Sequence, residues 1–446
     1  MAIAILSLAA CTKKDSAPAP TLSITSISPK SGVANTLDTI KGVGFSPFLS
    51  EDSVYFNGTI ATILNAKADQ LIVLIPAGGI SGNVSVTVHH QTATGPTFTY
   101  TTNNGGTGTN PGSADPKDSV YTVSTLCGTR GFADGTGLAA KFNTPTAMVM
   151  GTDGNLYVND YGNNRIRKVT PDGVVTTFAG SATIGYGDGL GTAASFFDPQ
   201  GIAVDPSGNF FVTDYGNNKI RKITPAGAVS SFAGGARGYV EGTGSAAQFH
   251  SPINITGDRQ GNLYVFDMYN NRIRKITSGA VVSTLTGSGV QGTADGTGTA
   301  AQIGSIGGMC SDPANNIYMT DQLYGTVRKI TPAGVVTTIA GVADPDHPMD
   351  LDGVGTKAKF GGPMGIIMDQ YGNLIVGDGA GTIRKITPAG VVTTIAGIAG
   401  TQGSDDGPAH QATFWGPIAI VVTPSGIIYV LDCLNNNIRV LTPKRT

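Results

Sequence analysis

Short apolar runs, each ending on an aspartate, return at near-constant spacing through the last three-quarters of this chain. NLYVND ends at Asp160, NFFVTD at Asp214, NLYVFD at Asp267, NIYMTD at Asp321, NLIVGD at Asp378 and IIYVLD at Asp432. Successive aspartates lie 54, 53, 54, 57 and 54 residues apart. Apolar runs of this length, bounded by Gly, Asn and Pro, predict strands. A repeat of this period made of such strands predicts a propeller or a solenoid. One full unit, residues 201–234, reads GIAVDPSGNFFVTDYGNNKIRKITPAGAVSSFAG. It divides into four strands, GIAVD, NFFVTD, KIRKIT and AVSSFAG, separated by Pro-Ser-Gly, Tyr-Gly-Asn-Asn and Pro-Ala-Gly turns.

The two ends of the repeat region complement each other. The last unit stops after its third strand, NIRVLTP, and a lone YTVSTLCG at 121–128 matches a fourth strand. Joining them gives one sheet built from both ends, which leaves no open edge. Six aspartates and this closure predict an all-β, six-bladed propeller over residues 120–446. Ahead of it, residues 22–100 alternate apolar and polar positions between Pro-Lys-Ser-Gly, Asn57-Gly58 and Gly-Gly turns. Asn-Gly between VYF and TIATI predicts a two-residue hairpin, because both turn positions need positive φ. Residues 101–119, TTNNGGTGTNPGSADPKDS, have no apolar periodicity and form a linker.

Two resemblances sharpen this. Ser-Pro-x-x-Gly at the start of the first unit, Gly42-Val-Gly-Phe45 and the closing Gly-Pro-x-Phe resemble the IPT/TIG family, which implies an immunoglobulin-like sandwich used as a spacer or adhesive module. The Asp-x-x-Asn-x-x-Ile-Arg signature at Asp160–Arg167, Asp214–Arg221, Asp267–Arg274 and Asp432–Arg439 resembles the NHL repeat family, which builds propellers. Six copies argue that the Asp and the Arg are framework. The Asp is expected to accept N–H bonds from the turn that follows it. The Arg is expected to lie between blades and donate to carbonyls or to that Asp. A second recurring string, Asp-Gly-x-Gly-x-Ala-Ala-x-Phe, occupies the loop between successive units and reads as framework too, its Phe plugging the core.

Composition narrows the function classes. Only 13% of residues are charged and the formal charge is −2, so no basic stripe for nucleic acid is present. No apolar run reaches the length of a membrane-spanning helix. Cys11 follows the apolar stretch Ile3 to Ala10, and Leu-Ala-Ala-Cys resembles a bacterial lipobox. This implies residues 1–21 as signal and tether, with Cys11 lipidated and the membrane reached through that anchor alone. The region before the apolar stretch has no Lys or Arg, a departure from standard signals. Cys127, Cys310 and Cys433 lack zinc spacing. They read as buried thiols, with a Cys127–Cys433 disulfide as the other reading. His89 and His90 alternate faces of a strand and cannot both serve one metal.

Residues that break the repeat carry the functional expectation. Seventeen positions before each repeated Asp stand Asn143, Phe197, His250, Gly304, Gly361 and Trp415, expected at the channel mouth. Phe132, Tyr186 and Tyr239 border the same face from the inter-blade loops. Aromatic faces at a polar rim suit sugar rings, so Asn143, Phe197, His250, Trp415, Phe132, Tyr186 and Tyr239 form the candidate site. The alternative is that they are loop plugs. No cofactor is expected, calcium being considered only at Asp344, Asp346, Asp350 and Asp352, since no loop has the full calcium-loop pattern. The positions at the start of each first strand hold no carboxylate or imidazole, and general acid–base chemistry needs converging groups. The reading is therefore a monomeric, lipid-anchored protein of the cell envelope, on the periplasmic or surface face of the outer membrane, that binds a glycan or protein without catalysis. A lyase- or lactonase-like channel enzyme and a purely structural scaffold stand as the alternatives.

Overall fold

The computed structural model describes residues 21–32, 37–46, 52–76, 81–89, 91–100, 121–344 and 350–444. Cys11, Asp346 and the 101–119 linker lie outside them. The chain divides into two compact units, residues 1–111 and 112–446.

The first unit is all β. Strands Ser23–Ser28, Leu37–Val43, Gln70–Leu74 and Thr59–Lys67 pair in that order, and Thr59–Lys67 continues into Asp52–Phe56, Gly82–Val88 and Gln91–Tyr100. Alternation puts Val54, Phe56, Val84, Val86 and Phe98 inside with Ile27, Ile40, Leu71 and Val73. Phe56 and Phe98 meet edge to face at 5.0 Å. Asn57 and Gly58 take φ of 45° and 86°, as the hairpin requires. His89 does not continue its strand: the strand ends at Val88 and His89 turns with φ 47°.

The second unit is a closed six-bladed propeller. Naming the strands of each blade a to d from the channel outward, blade 1 has a at Ala147–Met150, b at Leu156–Asp160, c at Arg165–Val169 and d at Val174–Ala179. Strand a of blades 2 to 6 is Pro199–Val204, Pro252–Gly257, Ile306–Ser311, Pro363–Met368 and Pro417–Val422. Blade 6 takes b from Ile428–Asp432, c from Asn437–Pro443 and d from Tyr121–Cys127, at the opposite end of the repeat region. Strands a contact one another around the circle, and that of blade 6 contacts that of blade 1. The predicted ring and its closure are therefore present.

Each blade has one strand more than the four read from the repeat. Gly135–Thr136, from the loop entering blade 1, pairs with the outer strand d of that blade. The same happens in every blade, with Pro408 replacing an N–H donor in blade 6. The loop thus covers the outer edge before crossing inward over the blade, which protects an exposed strand edge. On the way it buries Phe142, Phe196, Phe249, Ile303, Phe360 or Phe414 in the core.

The Arg of each strand c fastens that loop. Arg167 is fully buried and donates to Asp160 at 2.7 Å, to Asp134 at 2.6 Å, and to the carbonyls of Lys141 and Ala133. Arg221 repeats this with Asp214, Asp188, Ser195 and Gly187. The Arg was expected between blades; it lies within one, because its partners are the end of strand b and the loop crossing the same blade. Removing one partner of a buried pair leaves an uncompensated charge, at about 3–5 kcal/mol. Arg221→Met should therefore lose roughly that much in urea unfolding, while Lys222→Met, half-exposed on the same strand, should change stability by about 0.5 kcal/mol or less. Equal effects would contradict the assignment.

Candidate ligand-binding face at the channel mouth

The repeated Asp fixes the channel mouth from below. Its carboxylate accepts the backbone N–H of the residue seventeen positions earlier: Asn143 to Asp160 at 2.8 Å, Phe197 to Asp214 at 2.8 Å, His250 to Asp267 at 2.7 Å and Trp415 to Asp432 at 2.8 Å. The sequence had suggested N–H groups of the following turn instead. That turn reaches the carboxylate through a side chain, as Asn163 does to Asp160 at 2.8 Å. Only in blades 4 and 5 do following-turn N–H groups, of Tyr324 and Ala380, take this role. The backbone of each mouth residue is thus part of the frame, and its side chain is not.

Those side chains lie back on their own blades. Asn143 donates to the Gly162 carbonyl at 3.2 Å. The Phe197 ring covers Gly216, where a Cβ would come within 2.5 Å of it. His250 stacks on Tyr269, ring centres 4.7 Å apart. Trp415 is 41% exposed beside the exposed Leu434. The four stand at equivalent positions ahead of strand a, and the side chains of Asn143, Phe197 and His250 rest on their own turns.

Contacts between blades come from residues that sequence reading passed over. Thr144, Asp198 and Ser251, one position further on, take left-handed φ of 49°, 54° and 56°. Such a backbone costs a non-Gly residue about 1–3 kcal/mol and marks sites where the surroundings impose it. Glycines, Gly362 and Gly416, stand at this position in blades 5 and 6. What imposes it is the preceding blade: the N–H of Thr144, Asp198 and Ser251 donates to Asn436, Asn164 and Asn218 at 2.7, 2.9 and 2.8 Å. Tyr161 of blade 1 then comes near Asp198 of blade 2, and Tyr215 of blade 2 comes near Ser251 and Tyr269 of blade 3, close enough for each to shift its neighbour's ionisation. Burial raises Asp198, and the Tyr161 hydroxyl opposes that rise. Burial, together with the Arg237 charge, holds His250 below its ordinary range, so it is a neutral imidazole at pH 7. Blades 1 to 3 carry a continuous arc of phenols, a carboxylate, a hydroxyl and an imidazole. Its signal in the sequence was Tyr161, Tyr215 and Tyr269 after the repeated Asp, hidden because Tyr-Gly-Asn-Asn reads as turn framework.

The loop aromatics serve otherwise. Phe132 lies 4.0 Å from the Arg165 guanidinium, Tyr186 4.9 Å from the Lys219 ammonium and Tyr239 4.3 Å from Arg272. These cations begin strand c, so the rings cover the third strand of the blade, away from the channel-lining first strand. Cation–π contact of this kind is worth about 0.5–1 kcal/mol at exposed sites.

Strands a enclose a channel cavity of about 260 Å³. Its polar side chains bond to neighbouring backbone: Thr146 to the Gln200 carbonyl at 2.8 Å, Asn254 to Gly307 at 3.0 Å and Ser311 to Gly257 at 2.6 Å. Cys310 in this wall is a free, buried thiol pushed above its ordinary range by burial. Cys127 and Cys433 are likewise free and buried rather than bridged.

Blades 4 and 5 depart from the frame. Tyr324 replaces the carboxylate-binding Asn in blade 4, and burial pushes Asp321 up to about 6. In blade 5 the turn is one residue shorter, and Asp350 enters beside Asp378. Asp350 takes the N–H of Gly361 at 2.9 Å, the hydroxyl of Thr382 and Arg384 at 3.3 Å. Asp352 takes Arg384 at 2.9 Å and Thr394 at 3.0 Å. Two of the acids considered for calcium are thus turned onto Arg384, while Asp344 closes onto the Tyr324 carbonyl through its N–H at 3.2 Å. Among the described residues no cluster of metal-ligating side chains is present. Burial and the Asp350 carboxylate push Asp378 up to about 8. A raised carboxyl stabilises the fold fully below the ordinary carboxylate range, and this contribution is lost as pH rises through the raised value. Urea unfolding should show stability falling from pH 5 to pH 8.5. Asp378→Asn, whose amide supplies the shared hydrogen permanently, should flatten that fall, and an unchanged slope would contradict the pairing.

Comparison with known proteins agrees with this architecture. Residues 22–103 match the IPT/TIG domain model and residues 196–223 the NHL repeat model, so the chain carries both. It is 27% identical to human NHL repeat-containing protein 2 over 64% of this chain and 44% of that protein. It is 26% identical to mouse Teneurin-4 over 69% of this chain and 12% of that protein. The chain thus spans less than half the length of these curated relatives. Two solved structures share the fold at a TM-score of 0.56, covering 96% of this chain and 99% of theirs: a protein of unknown function from Bacteroides thetaiotaomicron, 21% identical, and an auxiliary nutrient binding protein from Bacteroides ovatus, 17% identical.

Proposed function

We propose that the propeller is a binding module that presents the arc of blades 1 to 3 to an oligosaccharide at the channel mouth. The observation that carries this reading is that Asn164 and Asn218 bind the left-handed Asp198 and Ser251 of the next blade, where blades 5 and 6 have glycine, and so bring them near Tyr161 and Tyr215. Sugar rings present C–H faces that stack on aromatic side chains and hydroxyls that pair with carboxylates, phenols and imidazoles. Phe197, Tyr269 and His250 supply the first, and Asp198, Tyr161, Tyr215, Ser251 and Asn143 the second. A neutral imidazole both donates and accepts, which suits hydroxyls. Trp415, across the mouth on blade 6, offers a further exposed face. The nutrient-binding role stated for the Bacteroides ovatus protein is in keeping with this reading. The channel side chains that bond to neighbouring backbone support recognition at the mouth over reaction within the channel. The first unit serves as spacer, and Cys11 as the lipid attachment to the cell envelope.

A glycan array with purified protein tests the ligand class. Binding should fall about tenfold or more, some 1.4 kcal/mol, in Tyr215→Ala and His250→Ala with melting unchanged. Tyr186→Ala, which removes a ring stacked on Lys219, should leave binding intact. Failure to bind any glycan, or an equal loss in Tyr186→Ala, would overturn the reading. A protein partner captured in place of glycans would do so too, as would conversion of a bound glycan that stops in Asp198→Asn. For the anchor, Cys11→Ser should abolish labelling by radioactive palmitate and release the protein from the membrane fraction; continued labelling would exclude Cys11.

A further inference from the structure

We infer a second binding site, between blades 4 and 5 and away from the channel, for a small aliphatic or aromatic monocarboxylate. The structure holds a cavity of about 230 Å³ there, lined by Tyr318, Lys329 and Ile339 of blade 4 and by Met368, Leu374 and Ile386 of blade 5. A cavity of about 150 Å³ lined by apolar side chains is enough to take up benzene. This one is larger, and its walls are mostly aliphatic.

The repeat supplies its own comparison. At the junction of blades 1 and 2 the corresponding positions are Tyr157, Phe178 and Phe210, whose rings pack at 4.9, 4.1 and 5.7 Å. In blades 4 and 5 the tyrosine remains as Tyr318, but Ile339 and Leu374 replace the two phenylalanines. The junction of blades 3 and 4 also has aliphatics, Leu285 and Ile317, yet there Tyr264 is 2% exposed and belongs to the core. At the junction of blades 5 and 6, Tyr121 stands where blade 5 has Gly390, and the space left is about 10 Å³. The space between blades 4 and 5 therefore follows from particular residues and not from the fold.

Charge selects the occupant. The equivalent Lys168 of blade 1 is paired with Asp153 at 2.8 Å. Lys329 forms no ion pair among the described residues, and its ammonium sits 5.6 Å from the Tyr318 ring at the cavity wall. The acid of the turn between strands a and b of the same blade, Asp312, is taken up by the N–H groups of Ala314 and Asn316, the Asn316 amide and the Tyr318 hydroxyl. A carboxylate with a short apolar body pairs its charge with Lys329 and places its carbons against Ile339 and Leu374.

Calorimetric titration of the full chain with octanoate, and separately with 1-octanol, tests this. Saturable one-to-one octanoate binding is expected. Ile339→Phe and Leu374→Phe, which restore the side chains of blades 1 and 2, should weaken both probes at least tenfold with melting temperature kept or raised. Lys329→Met should weaken octanoate about tenfold and leave 1-octanol within twofold. Absence of saturable binding in the parent protein, binding kept in a folded Ile339→Phe variant, or equal effects of Lys329→Met on both probes would overturn the site. Should both Phe variants unfold, the Lys329→Met comparison alone decides.

Discussion

A buried guanidinium holds each blade together. Arg167, Arg221, Arg274, Arg328, Arg384 and Arg439 are all fully buried, and each donates to at least one carbonyl of the loop that crosses its blade. In blades 1, 2, 3 and 6 the same guanidinium also meets the Asp at the end of strand b. A planar group with five donors suits such a junction in a way that an ammonium does not. The interaction links the inner strands to the outer edge, because the loop it holds also supplies the fifth strand. It explains why Asp and Arg recur at fixed spacing although neither reaches solvent.

The functional reading follows from where that junction is kept and where it is altered. With the Asp intact, the mouth residue is clamped through its backbone and the side chain is free to vary. Asn164, Asn218 and Asn436 extend the clamp to the next blade, forcing Thr144, Asp198 and Ser251 into left-handed backbone and aiming polar groups at one another across blades. With the junction altered in blades 4 and 5, a second carboxyl, Asp350, joins Asp378 in blade 5, and the mouth positions are Gly304 and Gly361. Blades 1 to 3 are therefore chemically furnished, blades 4 and 5 are bare, and blade 6 carries Trp415. A face with this polarity suits an elongated ligand held at one end of the opening.

Much of the fold was legible in the chain. Spacing of the strand-end aspartates gave the blade number, and the unmatched YTVSTLCG predicted the closure that Tyr121–Cys127 makes with Asn437–Pro443. Two-residue pairings such as Gly135–Thr136 with strand d were not, because Gly and Thr have no strand periodicity at that length. The site was legible in part. Asn143, Phe197, His250 and Trp415 do stand at one equivalent position ahead of strand a, each bonded through its N–H to the repeated Asp, since a fixed offset from a framework residue survives folding. Phe132, Tyr186 and Tyr239 lie over strand c, because cations at its start draw the rings there. The Tyr161–Asp198 pair joins residues of different repeats, and alignment of one repeat with the next cannot reveal a contact made between them.

Amide hydrogen exchange across the propeller, with and without a saturating glycan, tests the central claim most directly. The account predicts slowed exchange at the mouth of blades 1 to 3, at residues 161–163, 197–199, 215–217, 250–252 and 268–270, with blades 4 and 5 unchanged at their equivalent positions. Protection spread evenly over all six blades, or confined to the opposite face, would contradict it.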